Sequence, residues 1–449
     1  MQKYYTKSFN YKMIQSRKKF IGKFMIKSFK QLSLILLSTF LFTACSIKEP
    51  TAIIPKTDDL TELSKTANDD FLDQEKATKD YFDKYFKPWN SSKVSYSRSE
   101  AMWGQSYKYK KVYLENHNLA TAEWFDKQIN NSNFDAYNLS PKKAITLENV
   151  NVRVLPTNSV MFYDPKTPGE GFPFDYNQNS ALKINTPIIV SHLSKDRAWA
   201  FIESGIVGGW VEIKNIAFVD DKFIKEFKTS NYYVTVKEKF PIYEPIFREY
   251  VKVGTIFPKK NNYFIIAKKD DNQNAIISYV YLNDDEVEAM PLAFNSANRV
   301  RILNQLLDEP YGWGGLLNNR DCSSFTQDFF VPFGKYLHRN SKSQISNGKY
   351  LDMSKMDINE KKDFIKKNGV PFSTLVYLKG HIMLYVGVKN NEPLVVHNIW
   401  SVRLKNSSGV KYRHIIGKAT ITTLEPGKEM QDFDEDNNIL KKVTGIVIL

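Results

Sequence analysis

Tyr311–Phe330 reads YGWGGLLNNRDCSSFTQDFF, and this stretch decides how the C-terminal part of the chain folds. Gly312, Gly314 and Gly315 mark a tight turn, because glycine adopts backbone conformations closed to other residues. Asp321 stands where a helix N-cap belongs, ahead of an apolar run with helical spacing at Phe325, Phe329 and Phe330. Cys322 then falls in the first helical turn, where the positive end of the helix dipole favours thiolate over thiol. Taken alone, a single Cys in such a helix reads as a packing residue.

The only other cysteine, Cys45, ends a different kind of segment. Residues 25–45 read MIKSFKQLSLILLSTFLFTAC: basic Lys27 and Lys30, an apolar run from Leu32 to Phe42, then Thr43 and Ala44. The run is short for a spanning helix and fits the apolar core of an export signal. An uncleaved membrane anchor is the other reading. If Cys45 is engaged there, Cys322 is a lone thiol in an exported protein, and so a candidate for reactivity. The chain of 449 residues carries a formal charge of +14, of which residues 1–45 supply nine Lys or Arg and no acid, leaving +5 beyond them. No basic stripe interleaved with aromatics appears, so no nucleic acid is expected as a partner. The 25 Tyr and 30 Phe suit small β-rich modules.

Residues 1–45 are thus expected to be a signal peptide (1–24 as an over-extended start, with Met25 beginning the signal) and 46–70 a polar tether with Pro50 and Pro55. FLDQEKATKDYFDKYFKPW, from Phe71, predicts a helix ended by Pro88, within a small helical domain over 71–145. NVNVRVLPT, PIIVSHL, AWAFIES and GWVEI are short runs of β-formers between turn residues, which predicts a small barrel over 146–222. YYVTVKE, PIYEP, VKVGTIF, YFIIAKK and AIISYVYL repeat the texture and predict a second barrel over 223–290. His192, in the first barrel, has no titratable neighbour in sequence and reads as structural or surface.

From 291 to 449 helices precede strands, an α+β arrangement. SANRVRILNQLL predicts an amphipathic helix, SKMDINEKKDFIKKNG a solvated one stopped by Gly369, and PFSTLVYL, HIMLYVGV and PLVVHNIW successive strands. KNNE joins the last two as a hairpin turn. Alternation puts Ile382, Leu384, Val386 and Val388 on one face and His381, Met383 and Tyr385 on the other, with His381 expected to face the Cys322 helix. His397 lies on the next strand, and Asn398 competes with it as a partner for His381. Acyl chemistry on cysteine needs a thiolate, a His that relays the proton and a polar group that orients that His.

PYGWGG with DCSSF, GHIMLYVG and VVHNIW together resemble the NlpC/p60 family of bacterial cell-wall cysteine peptidases, which are papain-like. The two barrels resemble the bacterial SH3-type modules of one branch of that family, and YLENHNLATAEWF resembles its helical clamp domain. The likeness covers roughly residues 71–449. It implies a multidomain fold: a small helical N-terminal domain, two SH3-like β-barrels and a C-terminal α+β papain-like peptidase domain. It implies Cys322 as nucleophile, His381 as general base and His397 as orienter. Tyr311 matches a hydroxyl beside the thiolate, Asp321 and Ser323 match residues that grip the free amine and backbone of a stem peptide, and Ser341 in HRNSKSQ matches a further substrate contact. The implied reaction is cleavage of the γ-D-glutamyl to diamino acid bond, with the first barrel closing the far end of the groove. Residues 42–45 resemble a lipobox, which implies lipidation of Cys45, a membrane tether, and a cell-envelope location facing the periplasm from the outer membrane in a Gram-negative cell. The partners implied are peptidoglycan or muropeptides; the oligomeric state is left open.

Ser324 and Ser401 stand where the family often has Gly, and His338 where Pro is frequent before Arg339; none of these is a reacting group. His117 and His414 carry no pattern. No metal or other cofactor is expected, since the histidines lack ligand spacing and no second free Cys is at hand. Two rival readings remain: a wall-binding lipoprotein whose peptidase domain has decayed, and the same fold acting on another amide.

Overall fold

Leu60 and Leu63 sit three residues apart, a spacing that puts both on one side of a helix, and a helix forms there: α1, Asp58–Lys65. The computed structural model describes residues 58–449, so the expected signal, Cys45 and most of the tether lie outside the described residues. The tether expected to run to residue 70 ends sooner. Leu60 and Leu63 are buried in the main core with Ile302 and Leu303. The fully buried Arg299 donates from Nη2 to Ser64 O at 2.8 Å and pairs with Asp69.

Helix α2 (Gln74–Tyr85) is capped by Asp73, whose side chain accepts from Lys76 N–H. Pro88 does not terminate it. The helix stops at Phe86, and Pro88 lies in the first turn of a new short helix, α3 (Lys87–Asn90), where a missing N–H costs nothing. Trp89 is buried there and donates from Nε1 to Ala144 O at 2.8 Å, tying the helices to the strands that follow. Helices α4 (Arg98–Ala101) and α5 (Ala122–Asn131) complete the N-terminal domain. A 3-10 turn over Trp103–Tyr109 lies between them.

The first barrel begins at residue 142, a little earlier than its composition suggests. Its strands are β1 (Lys142–Thr146), β2 (Val150–Arg153), β3 (Gln178–Leu182), β4 (Pro187–Leu193), β5 (Trp199–Ser204), β6 (Gly208–Glu212) and β7 (Ile216–Phe218). They form one sheet in the order β3-β2-β6-β5-β4-β1-β7. His192 is a core residue: its nitrogens meet Ser191 Oγ at 3.0 Å and Ser132 O at 2.9 Å among Phe134, Tyr137, Phe201 and Trp210.

Helix α6 (Asp221–Phe227) links the barrels and packs Phe223 and Phe227 beside Trp89. The second barrel holds β8 (Tyr232–Thr235), β9 (Phe240–Tyr243), β10 (Phe247–Val251), β11 (Ile256–Lys260), β12 (Tyr263–Lys269), β13 (Ala275–Val280) and β14 (Val287–Ala289). They form a five-stranded sheet, β13-β12-β11-β8-β14, and a β10-β9 pair.

In the last domain α7 (Ser296–Leu306) and α8 (Cys322–Phe330) precede a short α9 (Ser341–Gln344), β15 (Lys349–Asp352) and α10 (Ile358–Asn368). Then come β16 (Thr374–Leu378), β17 (His381–Lys389), β18 (Glu392–Lys405), β19 (Lys411–Thr423), α11 (Ile439–Lys442) and β20 (Gly445–Ile448). The sheet order is β15-β20-β16-β17-β18-β19, antiparallel throughout. Asn390 and Asn391 both take positive φ, 50° and 66°, as a two-residue hairpin turn with the native twist requires. Helix α10 is not solvated all round: Ile365 is buried, and Lys361, also buried, donates to Lys441 O at 2.8 Å.

The strand alternation on β17 is as read from sequence, but the helix lies on the other side of it. Ile382, Leu384 and Val386 share a core with Cys322, Phe325 and Phe329, so α8 packs on the Ile382 face. Met383 and Tyr385 pack on the opposite face with Ile365 and Val376. Each fully buried Phe or Leu here contributes roughly 1.5–3 kcal/mol. That burial decides which face the helix takes; a single His at a strand end does not.

Candidate active site

Asp321 caps α8. Its Oδ1 accepts from Ser324 N–H at 2.8 Å, and Ser324 Oγ accepts from Asp321 N–H at 2.9 Å. Ser324 thus closes a reciprocal capping box with Asp321. Cys322 follows in the first turn, a free thiol 7% exposed. Its sulfur accepts the backbone N–H of Ile382 and that of Ser323. The β17–β18 ladder begins only at Leu384↔Val396, so the start of β17 is open on that side. The thiol is therefore seated at the strand end, next to His381, although α8 as a whole packs on the Ile382 face.

The helix dipole does not set the state of this thiol. Burial, with the Asp321 carboxylate beside it, pushes the thiol up to about 12, and the two N–H donors and Arg339 offset only part of that. Burial likewise lowers His381 to about 4 against an opposing pull from Asp321. It holds His397 well below the usual imidazole range, with His381 adding to the effect. All three groups rest neutral at pH 7.

His381 Nε2 and His397 Nδ1 are 2.7 Å apart, and His397 Nε2 lies 3.1 Å from Thr422 Oγ1. Thr422 Oγ1 donates its one proton to Thr423 O at 2.6 Å, so towards His397 it can only accept. The network assigns the proton of His397 to Nε2 and leaves Nδ1 as an acceptor, filled by His381 Nε2–H. His381 then keeps an unprotonated Nδ1. Asn398 is turned away from this chain, as alternation requires, and donates to Arg320 O at 3.0 Å.

Tyr311 is wedged between Trp400 and Phe174, at ring distances of 6.0 and 6.2 Å. Burial, Cys322 and Asp321 hold its phenol well above the ordinary tyrosine range, so it stays an O–H donor. Gly314 and Gly315 have φ of 57° and 88°, and a Cβ on either would lie 2.5 Å from Gln178 O or 2.6 Å from the Ala181 side chain. The first barrel presses on this turn, which explains the glycines. Leu317 and Asn318 also have positive φ, 57° and 58°, a strain of order 1–3 kcal/mol each that the surroundings must hold.

Asp321 does more than cap. Arg339 donates to it from Nη1 at 3.1 Å and Nη2 at 2.8 Å, Ser323 Oγ donates at 3.0 Å, and Gly314 N–H at 3.2 Å. A carboxylate offers about four lone-pair sites, so in this state the chain's own donors fill it, which leaves no free site for a substrate amine. Ser323 in turn accepts from Arg339 Nη1 at 2.9 Å. Arg339 Nε reaches Ser180 Oγ of the first barrel at 2.7 Å. Arg339 and Thr422 are not among the residues expected at the site; Arg339 stands out only as one of two basic residues in HRNSKSQ, and nothing in the sequence marks Thr422. His338 packs its ring edge-to-face on Tyr336, with centroids 5.3 Å apart.

Cys322, Tyr311, Asp321, Ser323 and Ser341 line one cleft of about 460 Å³. Its other walls come from Tyr96, Trp103 and Tyr107 of the helical domain and Tyr176, Gln178 and Asn179 of the first barrel. Two acids of that barrel are built in elsewhere: Asp175 pairs with Arg153 at 2.7 Å, and Glu170 accepts from Tyr176 OH at 3.0 Å. Among the described residues no group of His, Cys, Asp and Glu is arranged to hold a metal, and no helix is long and apolar enough to cross a membrane.

Residues 308–417 match the NlpC/P60 family, residues 161–212 an SH3 domain of SH3b1 type, and residues 34–137 the N-terminal NLPC_P60 stabilising domain. No curated protein matches the chain. Among solved structures it is similar to an NlpC/P60 endopeptidase from Photobacterium damselae subsp. piscicida, with TM-score 0.79, 24% identity, and 88% of this chain and 98% of that chain covered. An NlpC/P60 family protein from Bacillus cereus aligns with TM-score 0.42 and 14% identity over 68% of this chain and 98% of that one. With the helical domain, the first barrel and the α+β domain each in place, the chain carries an NlpC/P60 family domain behind an SH3b1-type domain and an NLPC_P60 stabilising domain.

Proposed function

We propose that the chain is a peptidoglycan stem-peptide hydrolase that cleaves the γ-D-glutamyl to diamino acid bond through an acyl-enzyme on Cys322. The observation that carries this is the hydrogen-bond chain Thr422–His397–His381, which leaves a bare Nδ1 on the residue next to the amide that holds the Cys322 sulfur. As the sulfur attacks the γ-glutamyl carbonyl carbon, the thiol proton passes to His381 Nδ1. The resulting imidazolium is stabilised by His397 and returns that proton to the departing amine. Water, deprotonated by His381, then releases the γ-glutamate and restores the thiol. The Cys322 N–H and the Tyr311 hydroxyl are the donors for the oxyanion.

Ser323 and Ser341 contact the peptide backbone, and Asp321 binds the free amine of the stem once Ser323 Oγ turns its proton away from that carboxylate. The walls supplied by the helical domain and first barrel restrict the cleft to peptides free of sugar. Lipidation at Cys45 tethers the enzyme to a membrane of the cell envelope, on the periplasmic side of the outer membrane in a Gram-negative cell.

The neutral thiol is the one observation on the side of a wall-binding protein without catalysis. Mass spectrometry of defined tri- and tetrapeptide stems separates the two. New free diamino-acid amines with wild-type protein and none with Cys322→Ala support the hydrolase; identical digests overturn it.

A further inference from the structure

The turn before Cys322 carries four residues with positive φ, Gly314, Gly315, Leu317 and Asn318, two of them not glycine. Such a turn keeps its shape only where other parts of the chain hold it. Three side chains that do so come from the second barrel, which contributes nothing to the lining of the cleft. Glu238, between β8 and β9, receives Arg320 in a two-pronged contact, Nη1 to Oε1 and Nη2 to Oε2, both 2.8 Å. Lys239 Nζ donates to Asn319 Oδ1 at 3.1 Å, and Lys252 Nζ to Asn319 O at 3.3 Å.

The Glu238–Arg320 pair is almost wholly buried, its side chains 6% and 1% exposed. Glu238 is itself fixed: its N–H donates to Gln305 Oε1 at 2.9 Å, and its Oε2 accepts from Val253 N–H at 3.1 Å. The Arg320 Nε–H goes to Asp328 Oδ2 on α8 at 2.7 Å. Arg320 O accepts from Gly312 N–H at 2.7 Å, and Asn398 also donates to it. Arg320 is thus gripped at the guanidinium by the barrel and the helix, and at the carbonyl by the turn and β18. Asp321 and Cys322 follow it directly.

We propose that Glu238 is a positioning residue for Cys322: through Arg320 the second barrel sets the backbone that presents the thiol at the end of β17. This gives the second barrel a role behind the site while the first barrel forms its wall. The kinetic arm rests on the hydrolase reading, whereas the alkylation arm reads the geometry of Cys322 alone.

The test uses the full-length protein with Glu238→Gln, Glu238→Asp, Arg320→Met, Glu238→Gln/Arg320→Met and Arg320→Lys, on a tripeptide stem and with iodoacetamide on Cys322. Glu238→Gln is expected to lower kcat at least roughly 30-fold with KM within about threefold, since a displaced nucleophile costs rate more than binding. Its alkylation rises about tenfold as the loosened turn exposes the thiol. Glu238→Asp recovers most of both, and the double variant adds less than about threefold to either single one, because the pair acts as a unit. A folded Glu238→Gln protein with wild-type alkylation and kcat overturns the proposal. Should Glu238→Gln lose its folded circular dichroism, Arg320→Lys, which keeps the charge and loses the two-pronged contact, decides: a change in alkylation of about threefold or more supports the proposal, and a smaller one overturns it. A wild-type protein inactive on every stem refutes the hydrolase reading, and the alkylation arm still decides this one.

Discussion

His381 and His397 share one proton at 2.7 Å, and Thr422, whose hydroxyl is committed to Thr423 O, decides which of them holds it. Thr422→Val removes the acceptor for His397 Nε2–H and keeps the side-chain shape. A buried N–H left unpaired costs about 1–3 kcal/mol, so the imidazole shifts its proton to Nδ1, and His381 then presents an N–H where the thiol needs a base. We expect kcat to fall roughly 10- to 100-fold, with Thr422→Ser close to wild type, and ¹⁵N NMR of the two rings to show the tautomer change. Unchanged ring shifts in Thr422→Val would falsify the assignment.

The resting state of Cys322 separates two pictures of the site. A thiolate–imidazolium pair would alkylate at a rate independent of pH across neutrality. With the thiol at about 12 and His381 at about 4, the reactive thiolate is a small fraction that grows with pH. The alkylation rate should therefore climb about tenfold per pH unit from 7 to 9. For kcat/KM the acid limb should lie near 4, where His381 protonates, and not near 6.5. A plateau in alkylation between pH 6 and 8, or an acid limb near 6.5, contradicts the neutral pair.

The same burial makes a statement about stability. His381 has its folded pKa depressed to about 4, below the ordinary 6.5, so the unfolded chain binds a proton in that window and the folded chain does not. Its contribution is complete above 6.5, is lost as pH falls towards 4, and amounts to roughly 3 kcal/mol. His397 acts in the same direction. Urea midpoints at pH 7 and pH 4.5 should converge in His381→Asn relative to wild type. Equal drops in both proteins argue against a buried neutral His381.

Much of this was legible in the sequence because it is written in local rules. Period-two alternation set the faces of β17, a pair of asparagines set the hairpin, and Asp321 set the start of α8. What was not legible depends on residues far apart in the chain. Thr422 reads as an ordinary β-former until β19 pairs with β18 and brings it to His397. Glu238 and Arg320 are 82 positions apart and say nothing of each other until the barrel docks. Leu60 and Leu63 lie in a polar stretch and become helical because α7 offers them a core. The helix dipole, a real local effect, was outweighed at Cys322 by burial, which no window of sequence displays.

Asp321 and Arg339 form the charged floor of the cleft, with side chains 13% and 9% exposed. Removing one partner strands the other charge, which for buried pairs costs about 3–5 kcal/mol. Asp321→Asn also weakens the cap of α8. We expect Arg339→Met and Asp321→Asn each to destabilise by that order in urea unfolding, and the double variant to lose less than the sum. Arg339→Lys should not rescue, since a single ammonium cannot span both Asp321 oxygens and Ser180 Oγ. Additive losses would mean the pair is not coupled.

Phe174 tests the idea that the first barrel shapes the cleft. It comes from the β2–β3 connection of that barrel and sets its ring 5.4 Å from Trp313, 6.2 Å from Tyr311 and 6.3 Å from Trp400, all three in the C-terminal α+β domain. Each such ring pair is worth about 0.5–1.5 kcal/mol beyond its buried area. Phe174→Ala therefore frees Tyr311, whose hydroxyl is a donor to the oxyanion in the proposed reaction, and opens the wall beside Trp313. Rate and selectivity should fail together: kcat/KM on a free tripeptide stem drops by roughly tenfold, while sugar-bearing muropeptides, which the proposed function has the wild type exclude, become measurable substrates. Phe174→Leu, which keeps apolar bulk, should restore exclusion better than rate, because it fills the wall without an aromatic face for Tyr311. A Phe174→Ala protein with wild-type kcat/KM and the same refusal of sugar-bearing substrates would remove the barrel from the site's specificity.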